Sequence, residues 1–177
     1  MREEKTRLRE ITYAEALYEA MREEMLGNEA VFVMGEDVAL YGGAYKATKG
    51  LYEEFGEKRV KDTPISESTI VGTALGAAIA GLRPVAEIMF GDFLALAMDQ
   101  IINQVAKAKY MSGGKVKVPL VIRSNIGARG STAAQHSQSP HGWFLNVPGL
   151  KIVIPAIPYD AKGMLKTAIR DDNPVLF

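Results

Sequence analysis

The sequence predicts an α/β fold in which a parallel sheet carries helices on both faces. Segments with helical apolar spacing alternate along the chain with short continuous apolar runs, each bounded by Gly, Pro, Asn or Asp. Strands covered on both sides read as such runs, whereas a sheet with one wet face alternates apolar and polar residues. No internal repeat or low-complexity linker interrupts the 177 residues. They read as one domain, long enough to bury roughly 70% of its unfolded surface.

The elements follow in order. Thr12 and Glu15 form a capping box, and Ala14, Leu17, Tyr18, Met21 and Met25 then share one helical face until Gly27-Asn28 stops it. Residues 30–34 are a continuous apolar strand, followed by the acidic loop Gly35-Glu36-Asp37 and a second break at Gly42-Gly43. Residues 51–55 make a short helix, and 59–61 lead into Asp62-Thr63-Pro64-Ile65-Ser66-Glu67. Pro64 biases Thr63 away from helix, and Ser66 can cap the helix predicted over 67–80. Gly72 and Gly76 in that helix permit close approach of another backbone, and Gly81 ends it. Residues 84–89 read as a strand. Asp92 can cap a long helix through Leu94, Met98, Ile101, Ile102 and Val105 that runs out at Ser112-Gly113-Gly114. Strands follow over 118–122 and 151–154. Pro158 suits the first turn of a helix reaching Arg170, which Asp171-Asp172-Asn173-Pro174 ends. Residues 175–177 look like the start of a buried strand, so a truncated or partial chain is expected.

Composition removes several function classes. Lys plus Arg and Asp plus Glu balance at 21 each, so no net field recruits nucleic acid or anionic lipid. The absence of cysteine excludes disulfides, thiolate metal sites and cysteine nucleophiles. The first ten residues are charged and lack the apolar core of a signal peptide. The longest apolar run, 70–82, is too short to span a bilayer and stops at Arg83-Pro84. A soluble, cytoplasmic protein is expected.

Chemistry concentrates in two places. Glu67 opens an apolar, small-residue helix, where a carboxylate has few neighbours able to hydrate it and needs a partner. The bland alternative is an ordinary first-turn glutamate favoured by the helix dipole. Residues 124–142 form the second place: a long loop after a strand, rich in small residues and holding both histidines. His136 lies between Gln135 and Ser137-Gln138, which could orient an imidazole able to give or take a proton at neutral pH. His136 with His141 matches no helical zinc motif. A serine beside His136 would suggest a hydrolase, but no Gly-x-Ser-x-Gly elbow is present. Neither Gly127-Ala128-Arg129-Gly130 nor Ser112-Gly113-Gly114-Lys115 matches a phosphate loop. Glu36 is either solvated loop charge or a ligand group at a strand's carboxyl end. Phe93 is either core or a stacking platform, and Tyr110-Met111 reads as core.

Together these residues resemble the β subunit of thiamine-diphosphate-dependent 2-oxoacid dehydrogenase complexes. The matching segments are Gly35-Glu36-Asp37-Val38, Asp62-Thr63-Pro64-Ile65-Ser66-Glu67, Asp99-Gln100 with Asn103, Tyr110-Met111-Ser112-Gly113-Gly114 and Ala134-Gln135-His136-Ser137-Gln138. Ala80-Gly81-Leu82-Arg83-Pro84 and Pro148-Gly149-Leu150 complete the set, in the family's order across nearly the whole chain. Segments 117–123 and 158–163 look most like the pyruvate and acetoin dehydrogenase branches.

The resemblance implies a transketolase-like pyrimidine-binding domain over 1–177, with the family's second, C-terminal domain absent. It implies that Glu67 hydrogen-bonds the aminopyrimidine ring of thiamine diphosphate and shares its proton, which activates the cofactor. Phe93 would pack on the pyrimidine, Ile65 would add an apolar and backbone contact, and Glu36 would be a second acidic residue in the pocket. His136 would serve proton transfer and the lipoyl acceptor; His141 has no implied role. A potassium site would use Leu120, Ala168, Asp171 and Asn173, largely through backbone oxygens. The diphosphate and its magnesium would lie on an α subunit, consistent with the missing phosphate loop. Implied partners are that α subunit, a second β subunit, a lipoyl domain and the acyltransferase core, with no nucleic acid or membrane. The alternatives are another thiamine enzyme of the transketolase group, or a non-catalytic α/β partner module.

Overall fold

The computed structural model describes residues 9–128 and 130–177; the N-terminal charged segment up to residue 8, and Arg129, lie outside the described residues. Six strands form one parallel sheet: β1 (Val31–Gly35), β2 (Val60–Asp62), β3 (Arg83–Ile88), β4 (Val121–Ser124), β5 (Lys151–Ile152) and β6 (Val175–Leu176). Their order is β2-β1-β3-β4-β6-β5. Side-chain alternation along these strands divides the core in two. Val31, Val33, Val60, Val85, Val121 and Val175 pack with α1 (Tyr13–Gly27), α2 (Leu51–Phe55) and α5 (Pro158–Arg170). Phe32, Met34, Ala86, Ile88, Ile122 and Leu176 pack with α3 (Glu67–Ile79) and the segment after β3. The continuous apolar runs are thus two alternating sets, one for each helical layer, as a doubly covered parallel sheet requires.

The capping box is in place: Glu15 N donates to Thr12 Oγ1 at 3.2 Å and Thr12 N donates to Glu15 Oε2 at 2.7 Å. α1 buries Leu17, Met21 and Met25 but also Glu24, whose carboxylate is held by the Arg170 guanidinium at 2.7 and 2.9 Å. Among the described residues no helix is long and apolar enough to cross a membrane.

Several expected elements come out differently. The long helix predicted from Asp92 is three pieces: a 3-10 segment over Gly91–Ala97, a π-helical stretch over Gln100–Val105 and α4 (Ala106–Met111). Asp92 does not cap it, because its carboxylate accepts from Gln138 instead. The strand expected over 118–122 lies at Val121–Ser124. Val118 and Leu120 are buried and so read as strand, but Pro119 offers no N–H and Val118 N donates to Asp172 O, outside the ladder. Ser66 stands at the N-cap position of α3, yet its hydroxyl donates to Thr69 Oγ1 at 2.8 Å rather than accepting from the backbone. Gly76 meets nothing within 4 Å of an added Cβ, and at Gly72 the nearest atom is the Gln100 Oε1 at 3.4 Å. The expected close backbone approach at these glycines is not made among the described residues. Tyr110 and Met111, expected in the core, are 87% and 78% exposed.

Candidate active site

All strands run the same way, so their carboxyl ends gather the loops that follow β1, β2, β3 and β4 along one rim. Glu36 follows β1 directly, and Glu67 opens α3 after β2; both are buried, at 8% and 6% exposure. Glu36 Oε1 has no hydrogen-bond partner, and among the described residues no hydrogen bond reaches the Glu67 carboxylate. Burial first, then the charges of Glu67, Asp37 and Glu87, push the Glu36 carboxyl above the usual range. Asp37 sits in the left-handed region at φ 55°, which turns the chain sharply after β1.

Glu87 was not singled out from the sequence. It is the register partner of both Gly35 on β1 and Arg123 on β4, and it forms a buried ion pair with Arg123. A signal existed: one acid and one base, each inside an otherwise apolar strand, demand each other in a dry layer. Glu87 Oε1 and Arg123 Nε remain without partners among the described residues. The rim therefore holds four buried carboxylates, Glu36, Glu67, Glu87 and Asp92; Arg123 neutralises Glu87, and Gln138 donates to Asp92. Such a site favours a neutral or protonatable ligand group that can donate to carboxylate oxygen.

Phe93 and His136 meet beside this rim. Their rings stand edge to face with centroids 5.2 Å apart at 80°, and Phe90, also not singled out, joins them at 4.7 Å from His136 and 84°, with Tyr45 behind it at 6.0 Å. The neighbouring polar residues do not orient the imidazole as expected: Ser137 Oγ shares a hydrogen bond with Thr132 Oγ1, and Gln138 bonds to Asp92. Ile65 is 82% exposed in the loop before α3. A cavity of about 300 Å³ is lined by Tyr13, Arg123, His141 and Phe177 but by none of Glu36, Glu67, Phe93 or His136.

Leu120, Ala168, Asp171 and Asn173 gather where α5 ends against β4 and β6. Leu120 O accepts from Val175 N at 2.9 Å and Ala168 O from Asp171 N at 3.2 Å, each keeping a second lone pair. Asp171 accepts from Asn173 and pairs with Lys151, while Asn173 Oδ1 accepts from Lys109 at 2.7 Å. Burial alone would push the Asp171 carboxyl up, but the hydrogen bonds from Lys151 and Asn173 hold it below its ordinary value. The negative end of α5 is served by Arg83, which donates to Ile169 O at 2.8 Å and Asp171 O at 2.7 Å. For a potassium ion the fit is partial: two carbonyl oxygens are open, and the side-chain oxygens already hold ammonium groups.

Residues 9–177 match the family described as transketolase, pyrimidine binding domain. The chain belongs to this family. Its pyrimidine-binding domain resembles the pyruvate dehydrogenase E1 component subunit beta of Rhizobium meliloti (strain 1021), 55% identical over 172 residues, which cover 97% of this chain and 37% of that protein. It is similar also to the 2-oxoisovalerate dehydrogenase subunit beta of Bacillus subtilis (strain 168), 52% identical over 167 residues, covering 94% of this chain and 51% of that one. The chain thus spans about half the length, or less, of these relatives. A solved structure titled split gene transketolase, inactive beta4 tetramer superposes with a TM-score of 0.72 over 94% of this chain and 50% of that chain, at 23% identity, which speaks for the fold alone. The expected fold and family both stand.

Proposed function

We propose that this pyrimidine-binding domain works as part of the β subunit of a thiamine-diphosphate-dependent 2-oxoacid dehydrogenase, with Glu67 as the group that activates the cofactor. The observation that carries this reading is a buried carboxylate at the first residue of α3 that no hydrogen bond reaches among the described residues, close enough to the buried Glu36 to raise its carboxyl. These residues fit an aminopyrimidine, whose ring nitrogen can be protonated and satisfies the acceptor that Glu67 leaves open. Thiamine diphosphate supplies the carbon nucleophile for cleaving the bond beside the substrate carbonyl. Glu67 holds a proton between its carboxylate and the pyrimidine nitrogen. Glu36, whose carboxyl burial and Glu67 push above its ordinary range, is the second acidic residue facing the cofactor in this reading. Phe93 gives the pyrimidine an apolar wall, and Ile65, exposed here, adds a contact from the loop before α3.

His136, packed edge to face on Phe93, serves in this reading as general acid or base for substrate and for a lipoyl acceptor. An α subunit supplies the diphosphate and magnesium site, in keeping with the absence of a phosphate loop from this sequence. A second β subunit, a lipoyl domain and an acyltransferase core complete the assembly, in the cytoplasm. Potassium at Leu120, Ala168, Asp171 and Asn173 belongs to the same reading, and no step depends on it.

The test uses the α/β assembly. Glu67→Gln should lower turnover by about 100-fold or more while the chain stays folded; near-normal turnover overturns the assignment. His136→Ala should impair decarboxylation or acyl transfer more than cofactor affinity. Assay with pyruvate, 2-oxoisovalerate and acetoin fixes the substrate, and turnover of sugar phosphates instead would make it a transketolase.

A further inference from the structure

Four consecutive residues, Phe90-Gly91-Asp92-Phe93, all touch the histidine loop. Phe90 and Phe93 stand edge to face with each other at 5.7 Å and 75°, and both stand edge to face with His136, so three rings close a triangle. Gly91 N donates to Asn125 O at 2.7 Å. A Cβ at Gly91 would lie 2.6 Å from Ile126 Cγ2 and 3.2 Å from both Asn125 O and Pro140 Cδ, so only glycine lets the two limbs of the loop close there. The Asp92 carboxylate, 9% exposed, accepts from Gln138 Nε2 at 2.8 Å and Gln138 N at 3.3 Å, and Gln138 O accepts from Gly127 N at 2.9 Å.

A catalytic imidazole is commonly oriented by a hydrogen bond at its second nitrogen. Among the described residues no hydrogen bond reaches either ring nitrogen of His136. Two phenyl rings pack edge to face against it instead, at 4.7 and 5.2 Å. We propose that residues 90–93 are a clamp that positions His136, with Phe90 and Asp92 as its positioning residues. Phe90 acts directly on the imidazole. Asp92 acts through Gln138, two residues along the loop. This rests on the catalytic role proposed for His136, and the clamp itself can be tested without it.

The first measurement is made on the 177-residue chain. The His136 ring-proton resonances, assigned against His141→Gln, should carry ring-current shifts that collapse in Phe90→Leu and survive in Phe90→Tyr. The second uses the α/β assembly with a lipoyl-domain acceptor. Phe90→Leu, Asp92→Ala and Gln138→Ala should each lower kcat by about 10- to 100-fold, the scale for a group displaced by about 1 Å. KM for the cofactor should hold, and Phe90→Tyr should restore turnover. Asp92→Ala with Gln138→Ala should be no worse than either alone, as two parts of one latch. Unchanged ring shifts in Phe90→Leu, a Tyr variant as poor as the Leu, or additive losses in the double variant would overturn the clamp. If Phe90→Leu does not fold, the Asp92 and Gln138 variants decide. Full activity of His136→Ala would instead overturn the proposed role of the histidine while leaving the ring shifts intact.

Discussion

Glu87 on β3 and Arg123 on β4 are register partners that bury their ion pair almost completely, at 1% and 3% side-chain exposure. So dry a pair adds little net stability, but breaking it strands a charge. Arg123→Met should therefore destabilise the chain by about 3–5 kcal/mol, and Glu87→Leu by a comparable amount. The double variant should recover most of that loss, because neither charge is then left alone. Urea unfolding of the four proteins measures the coupling. Strictly additive losses would mean that the two side chains do not act as a pair.

Glu36 makes a pH prediction with a definite sign. Its carboxyl is raised on folding, by burial first and then by Glu67, Asp37 and Glu87. A raised group binds its proton more tightly in the folded chain, so its contribution is full below the unfolded value and is lost as pH rises through the folded one. Glu36→Gln should then be more stable than the parent at about pH 7.5, with the advantage fading toward about pH 4. Urea midpoints at the two pH values check this. An advantage that grows toward acid would place the shift in the opposite direction.

The fold was legible because strand runs and helix punctuation agreed, from the Thr12 cap to Pro158 at the start of α5. The site was legible only in part. Glu67 stood out because an apolar helix offers it no solvent, whereas Glu87 and Arg123 each look like one tolerated charge until the register sets them side by side. Asp92 misled because an acid before an apolar run reads as a cap, and its partner Gln138 lies 46 positions away. The same distance hid Phe90: an aromatic after a strand reads as core until the histidine loop folds back onto it. Pairings between separate loops carry no local pattern, and this clamp consists of them.

The seam between α1 and α5 predicts acid and salt sensitivity. Lys162 bridges Glu19 and Glu23 at 2.9 and 2.7 Å, and Lys166 continues the ladder from Glu23. Hydrogen bonds from Arg9 and then Lys162 bring the Glu19 carboxyl down to about 2. A lowered group stabilises above its unfolded value and loses that contribution as pH falls through the folded one. The seam should weaken as pH falls from 4.5 toward about 2. Lys162→Met should unfold at a higher pH in an acid titration followed by circular dichroism. These pairs are half-buried but still reached by solvent, so about 1 M salt should narrow the gap between variant and parent. Identical acid midpoints would show that the ladder is not felt.

Two glycine-to-alanine changes should move stability in opposite directions. Gly149 has φ 95°, and a Cβ there would lie 2.0 Å from Ala106 O, a backbone atom that cannot swing aside. Gly149→Ala should cost about 2–4 kcal/mol through that clash and the left-handed strain. Gly76 lies within α3, and its added Cβ would meet nothing within 4 Å. Gly76→Ala should stabilise the chain by ~0.5–1 kcal/mol, the usual gain in helix propensity. Thermal unfolding of the two variants reads both signs, and a destabilised Gly76→Ala chain would mean that α3 packs more tightly than its open face shows. The same variant tests the proposed α-subunit partnership by assembly with such a subunit. A more stable chain that assembles less well would locate a contact on the glycine face of α3, whereas unchanged assembly would place the contacts elsewhere.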